Sequence, residues 1–287
     1  MKEKKSQPKI FTILRSSVNT IFTNDAIIFP FFVIIFFQLL ILEILYFIPQ
    51  WPLNVFFGPI VAKLWSVTYM HYPFNLVLLP KLFYYALIPV YILLSSFLIC
   101  MAISAILMIN NDEEPKVGVI FKRLLPSYIY IVVCSVITFF FIKLFMQGYD
   151  LIYERAMNIR SQAGPIYWLK ATVVQGAPYF KVLLNVLGTT MFAYVFPLIV
   201  IEKRNVFTAI IENLKYVITA PIKTFLIVLI PTLLYILILL SRGHVPFEAE
   251  IPEMRVVSIV VSVLVMVFID AVIYTSITTF YLIRKGQ

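Results

Sequence analysis

The chain has 287 residues, of which 62% are apolar and only 13% charged, with a net charge of +9 at pH 7. Soluble globular domains carry about 25% charged residues, so there is too little polar surface here to cover a globule in water. The mean hydropathy of +0.97 is that of an integral membrane protein, and the positive balance is that of basic residues flanking membrane spans rather than of a nucleic-acid surface.

The first predicted element is an amphipathic helix over Ile10–Thr23, IFTILRSSVNTIFT. Ile10, Ile13, Leu14, Val18 and Ile21 recur three or four apart on one face, and Thr12, Arg15, Ser16 and Asn19 take the other. An apolar run near 26–48 follows. It has the roughly 20 residues that cross a hydrocarbon core of about 30 Å, and the helix before it argues against a cleaved signal. Gln38 and Glu43 lie in this first span, Glu43 in its outer third. The stretch 49–80 is aromatic and broken by prolines. It is expected at the outer interface, helical over about 60–69.

The second span is placed near 82–109. KVGVIFKRLLPS, 116–127, then reads as a looser copy of the first amphipathic helix, ahead of a third span near 127–147. Lys143 sits at a depth similar to that of Glu43. The two either pair or stand apart, with Lys143 extending its ammonium outward. The connection 148–180 is expected to hold a short helix over 150–161. Span four, near 179–201, carries Asn185 and Pro197, and Pro89, Pro197 and Pro231 are expected to bend their spans without opening them. VFTAIIENLKYVIT, Val206–Thr219, is the third amphipathic segment. Val206, Ile210, Leu214, Val217 and Ile218 are expected on its apolar stripe, with Thr208, Glu212, Lys215 and Thr219 opposite. Spans near 222–241 and 255–283 close the chain, joined by the short acidic loop RGHVPFEAEIPE.

The three amphipathic segments each precede an odd-numbered span. The expected fold is therefore all-α, one six-span membrane domain over 1–287. It is built as three parallel helical hairpins (9–109, 116–201 and 205–285), each entered by an interfacial helix. The alternative is that each hairpin merely needs an entry helix. Lys and Arg concentrate at the N-terminus, at 116–123, at 203–223 and at Arg284 and Lys285, which predicts cytoplasmic termini. Trp51, Trp65 and Trp168 then fall at the opposite interface.

Ionisable groups inside lipid are the first functional candidates. Asp270, near the middle of span six, is the sharpest, on a face shared with Ser262, Tyr274 and Thr278. It reads as a hydrogen-bonded structural group or as a proton relay. Asn185 and Gln38 are expected to hydrogen-bond between helices. Cys100 and Cys134 read as free and buried. His71 and His244 have no metal-ligand spacing around them. No zinc-binding HExxH, serine elbow, P-loop or dinucleotide turn occurs, and no cofactor or metal is expected.

The stretch FAYVFPLIVIEKRNVFTAIIENLKYV has a span, then Glu202, Ala209 and Asn213 in spaced succession. It resembles the glycerophosphoryl diester phosphodiesterase membrane-domain family and related bacterial six-span proteins, in which a Ser stands at the place of Asn213. The resemblance implies a helical bundle of three hairpins. The phosphodiesterase activity of some members belongs to a fused soluble domain and is not carried over. From the residues themselves, Glu202 is expected to cap the helix that follows it, with a headgroup or partner contact as the rival role.

The functional expectation is a non-enzymatic membrane scaffold or accessory subunit of a bacterial inner membrane. Its partners would be lipid, another membrane protein or further copies of itself, with no nucleic acid. The alternative is a small-solute or lipid transporter using Asp270 and Glu43, with a membrane-embedded lipid enzyme third.

Overall fold

The computed structural model describes residues 9–159, 164–244 and 251–286, with backbone alone over 241–244. It is helical throughout, with no strand among the described residues. Among the described residues, six segments are long and apolar enough to cross a membrane: Asp25–Tyr46, Phe74–Asn110, Val117–Met157, Ala177–Glu202, Pro221–Leu240 and Met254–Lys285.

Helix α1 (Ile10–Thr23) leads into α2 (Asp25–Tyr46). As the spacing predicts, α1 buries Ile13, Leu14 and Ile21, and Ser17 joins them. It packs along the last helix, with the Phe22 ring 6.3 Å from that of Phe268. The stretch after α2 forms helix α3 (Leu53–Leu64) and a 3-10 turn, Val67–Met70. The helical part thus begins seven residues before the expected 60–69, and Trp65 ends it.

Span two also starts earlier than 82. It consists of α4 (Phe74–Val90), one turn of π-helix at Tyr91–Ser95, and α5 (Ser96–Asn110). Pro89, two residues before the π turn, has no N–H for the helical ladder. The altered turn is braced by side chains: Tyr128 Oη donates to the Leu93 carbonyl at 3.1 Å and Ser96 Oγ to that of Ile92 at 2.7 Å.

Helix α6 (Val117–Leu124) and a short 3-10 turn precede α7 (Tyr128–Met157). The expected separate helix at 150–161 does not form as such. Residues 150–157 continue α7 without a break, because nothing between Phe141 and Met157 interrupts the helical ladder; 160–163 lie outside the described residues. Helix α8 (Gly164–Gln175) folds back on this extension. Tyr149 Oη donates to the Val173 carbonyl at 2.7 Å, and Lys170 Nζ to that of Ile159 at 2.8 Å. An Asp150–Lys181 ion pair of 2.7 Å ties α7 to the next helix.

Span four is two helices, α9 (Ala177–Met191) and α10 (Val195–Glu202), rather than one bent helix. Pro197 supplies the reason: its ring lacks an N–H and crowds the carbonyl of Ala193, four residues back. Helices α11 (Val206–Thr219), α12 (Pro221–His244) and α13 (Met254–Lys285) complete the bundle. The loop 245–250 lies outside the described residues.

The centre is formed by α5, α10 and the second half of α13. Every residue from Ser96 to Met108 is buried, as is every residue from Val195 to Val200. Small side chains make this possible. Ala102, Ser104 and Ala105 on α5, and Ala271, Thr275 and Ser276 on α13, let neighbouring backbones approach closely. Gly188 does the same between α9 and α7: a Cβ there would lie 2.7 Å from Ile142 Cγ1. Outward faces are apolar, as in Phe32 and Phe36 on α2, Phe140 on α7 and Leu237 on α12. That is the pattern of a bundle whose solvent is lipid.

Candidate functional site

Of Glu202, Ala209 and Asn213, only Asn213 reaches the place where span four is broken. Asn213, on α11, is fully buried, and its amide serves both sides of the gap. Its Nδ2 donates to the Met191 carbonyl at 2.6 Å, at the end of α9, and its Oδ1 accepts the Tyr194 N–H at 2.9 Å, just before α10. A helix broken inside a membrane exposes backbone groups that no water can satisfy. One primary amide, with a donor and an acceptor, satisfies one of each. Ala209, one turn earlier on the same face, is also fully buried, and its methyl lets α11 sit against α10.

Glu202 does not cap α11. It is the last residue of α10; Lys203 follows in a left-handed conformation (φ 53°), and Asn205 is the cap, its Oδ1 accepting the Thr208 N–H at 2.9 Å. Asn directly before the apolar period was a readable start signal. The Glu202 carboxylate instead accepts from the Tyr281 phenol and pairs with Lys285 Nζ at 3.1 Å and Arg204 Nε at 3.2 Å. Arg204 also pairs with Glu212 at 3.1 Å. Glu202 is thus shared between two cations and Arg204 between two acids, at the end of the bundle where α13 finishes.

Beneath this network lies an aromatic cluster that periodicity did not single out. The rings of Tyr194, Tyr216 and Tyr281 are mutually within 6.1 Å. Thr224 Oγ1 donates its one proton to the Ala220 carbonyl, so the Tyr194 phenol, 2.7 Å away, donates to Thr224. The Arg284 guanidinium lies over Tyr216 at 5.4 Å and donates to its carbonyl at 3.1 Å. The tyrosines come from the turn before α10, from α11 and from α13, parts of the chain spread over almost ninety residues (Tyr194 to Tyr281), which is why no short window displays them.

The stripes of α11 also differ from expectation. Val206, Ala209 and Asn213 face inward, while Phe207, Ile211, Leu214 and Ile218 form an exposed apolar strip at 207, 211, 214 and 218. Leu214 and Ile218 therefore do not share a face with Val206. The apolar arc is wider than one stripe, and packing against α10 takes the half that carries the small and amide side chains.

Among the intramembrane candidates, Asp270 is half-buried on α13 and faces span two. Its carboxyl is in electrostatic range of the Tyr91 and Tyr274 phenols, Tyr91 being the first residue of the π turn. No hydrogen bond or ion pair reaches that carboxyl among the described residues, which corrects the expectation of a hydrogen-bonded structural group. The polar stripe around it is largely self-contained: Ser262 donates to the Ser258 carbonyl at 2.6 Å and Thr278 to that of Tyr274 at 2.7 Å. Ser95, also in the π turn, has a buried hydroxyl without a partner.

Glu43 is not paired with Lys143. Lys143 places its ammonium 5.5 Å from the centre of the Tyr84 ring. Glu43 lies in a groove between α2 and α13, with Leu39, Leu42, Tyr46, Val256 and Val260 around it. Those α13 residues are ten to fourteen positions before Asp270, roughly 15–20 Å of helix, so Glu43 and Asp270 form two separate places. Asn185 and Gln38 are half-buried and make no hydrogen bond among the described residues, contrary to the expected interhelical bonds. Cys100 and Cys134 are free and buried. Among the described residues no three His, Cys, Asp or Glu side chains converge as a metal site. At the other end, exposed Tyr72 donates to Glu253 at 2.9 Å, and this bond to a carboxylate raises the phenol's pKa.

No protein family, no curated protein and no solved structure matches this chain.

Proposed function

We propose that the chain is a non-enzymatic component of a bacterial inner membrane, a scaffold or accessory subunit that packs against lipid or another membrane protein. The observation that carries this is helix α3. At 12 residues it is too short to cross a bilayer. One side is fixed to the bundle, where Val61 is buried with Ile48 and Leu78. The other side presents Val55, Phe56, Ile60 and Leu64 outward, next to Trp51. A contiguous apolar face outside the spans needs a non-aqueous neighbour. The polar groups at the opposite end support the same reading, since Asn213 and Glu202 are engaged by the protein's own backbone and cations.

The accompanying layout is three parallel hairpins, with α1, α6 and α11 as entry helices on the cytoplasmic side and both termini in the cytoplasm. Its support is that these helices precede spans one, three and five, together with the Lys/Arg bias. The likeness of the Glu202–Ala209–Asn213 stretch to the membrane-domain family adds to it.

The test is a photo-crosslinking amino acid at Phe56 or Ile60 in intact cells. A discrete protein adduct or lipid adducts support packing at this face. Free reaction with an impermeant aqueous reagent at both positions overturns it.

A second reading is favoured by the partnerless Asp270 carboxyl opposite the π turn: a small-cation or proton transporter using Asp270, with Glu43 outside the site. Ion flux into liposomes containing the purified protein, abolished by Asp270→Asn with the fold intact, would decide for it.

A further inference from the structure

A groove of about 460 Å³ opens between α2, α5 and α6. Its size is within the range of about 300–1,000 Å³ usual for ligand sites. One wall is Phe29 and Val33 of α2; the other is Leu94, Leu98 and Met101 of span two. Both walls are membrane-spanning helices, so the slot runs at the level of hydrocarbon. Helix α6 closes one end with Gly118, Phe121 and Lys122. This is the end of the bundle, because α6 joins the finish of span two at Asn110 to the start of α7 at Tyr128.

Two details make this a formed slot rather than a gap between helices. The Phe121 ring is held edge-on by Phe97, with centroids 5.5 Å apart and planes at 84°, and Phe97 is itself held by Tyr128 at 5.4 Å. A Cβ built at Gly118 meets nothing within 4 Å, so there is free space beside this lining residue for a ligand or a larger side chain.

The charge at the mouth selects the occupant. Lys116 is paired with Glu114 at 3.1 Å and Arg123 with Glu113 at 3.7 Å. Lys122 makes no ion pair among the described residues and lines the slot. An apolar channel at hydrocarbon depth ending at one uncompensated ammonium fits a molecule with an acyl chain and an anionic head. The geometry points to a binding site for one anionic phospholipid, its chain between α2 and α5 and its phosphate at Lys122. This rests on the membrane reading but is independent of whether the protein is a scaffold or a transporter.

The experiment is native mass spectrometry of the full chain after reconstitution into mixed phosphatidylcholine–phosphatidylglycerol bilayers and detergent extraction. The unaltered protein is expected to retain one phosphatidylglycerol in preference to phosphatidylcholine. Lys122→Gln removes the preference between the two heads. Gly118→Leu, which places a side chain in the open slot, loses the retained lipid of either kind; Val33→Phe fills the slot from the opposite wall and serves if Gly118→Leu does not fold. Lys116→Gln, at a cation already paired outside the slot, leaves retention unchanged. The proposal is overturned if the unaltered protein keeps no lipid or keeps both heads equally. It is equally overturned if folded slot-filling variants retain lipid as before, or if Lys116→Gln acts as strongly as Lys122→Gln.

Discussion

Asn213 Nδ2 lies 2.6 Å from the Met191 carbonyl oxygen, so a side chain on α11 finishes a helix on another element. The same amide accepts from Tyr194 N–H across the break. Asn213→Leu leaves a buried donor and a buried acceptor unsatisfied, each costing about 1–3 kcal/mol. The expected loss is therefore about 2–6 kcal/mol, read as a lowered melting temperature in detergent. Asn213→Ser is expected to fall between, because its shorter side chain cannot reach both groups. An unchanged melting temperature for Asn213→Leu would show that the break is held by other means.

Gly188→Ala should destabilise through a contact rather than through helix propensity. The new methyl would sit 2.7 Å from Ile142 Cγ1, and overpacking of this kind costs about 1–3 kcal/mol. Shortening Ile142 to Ala should make the Gly188→Ala change less harmful than it is alone. A double-mutant cycle in thermal unfolding measures this coupling, and simple additivity would refute the contact.

Asp270→Leu should leave stability equal or raise it. The folded protein makes no hydrogen bond to this carboxyl that the change could remove. A carboxylate at mid-bilayer costs about 2.5–3.5 kcal/mol on insertion scales. Asp270→Asn should behave in the same direction. A marked drop in melting temperature for both variants would mean the carboxyl has a partner, such as water, in the membrane. This reverses the simpler expectation that any apolar replacement of a buried polar residue harms folding.

For the orientation, His71→Cys should react with an impermeant thiol reagent in intact cells and Lys215→Cys should not. Both positions are exposed, His71 between α3 and α4 and Lys215 on α11. The opposite labelling pattern would invert the assigned sides.

Much of this fold is legible in the sequence. Apolar runs of about 20 residues fix the existence of six spans, because lipid allows only helices with every backbone group paired within the segment. The apolar period fixes α1 and α11, since Ile13, Leu14 and Ile21 repeat at helical spacing whatever they contact. Ends and interruptions were harder. The signals existed in Pro197 and Asn205, but a proline in a span can bend or break it, and only the neighbouring helix decides which.

The sequence by itself determined that this is a polytopic helical membrane protein, because hydropathy is a sum over local residues and needs no knowledge of contacts. Tertiary structure alone decided what Glu202 and Asn213 contact and where Glu43 and Asp270 stand. Glu202 meets Tyr281 and Lys285 from a helix about eighty residues away; Asn213 meets a break two elements earlier. Glu43, on α2, meets α13 at Val256 and Val260, ten to fourteen positions before Asp270, so two acids alike in sequence occupy separate places. A polar group in lipid is defined by its partners, and partners are set by which helices lie side by side, a property that no single stretch of sequence encodes.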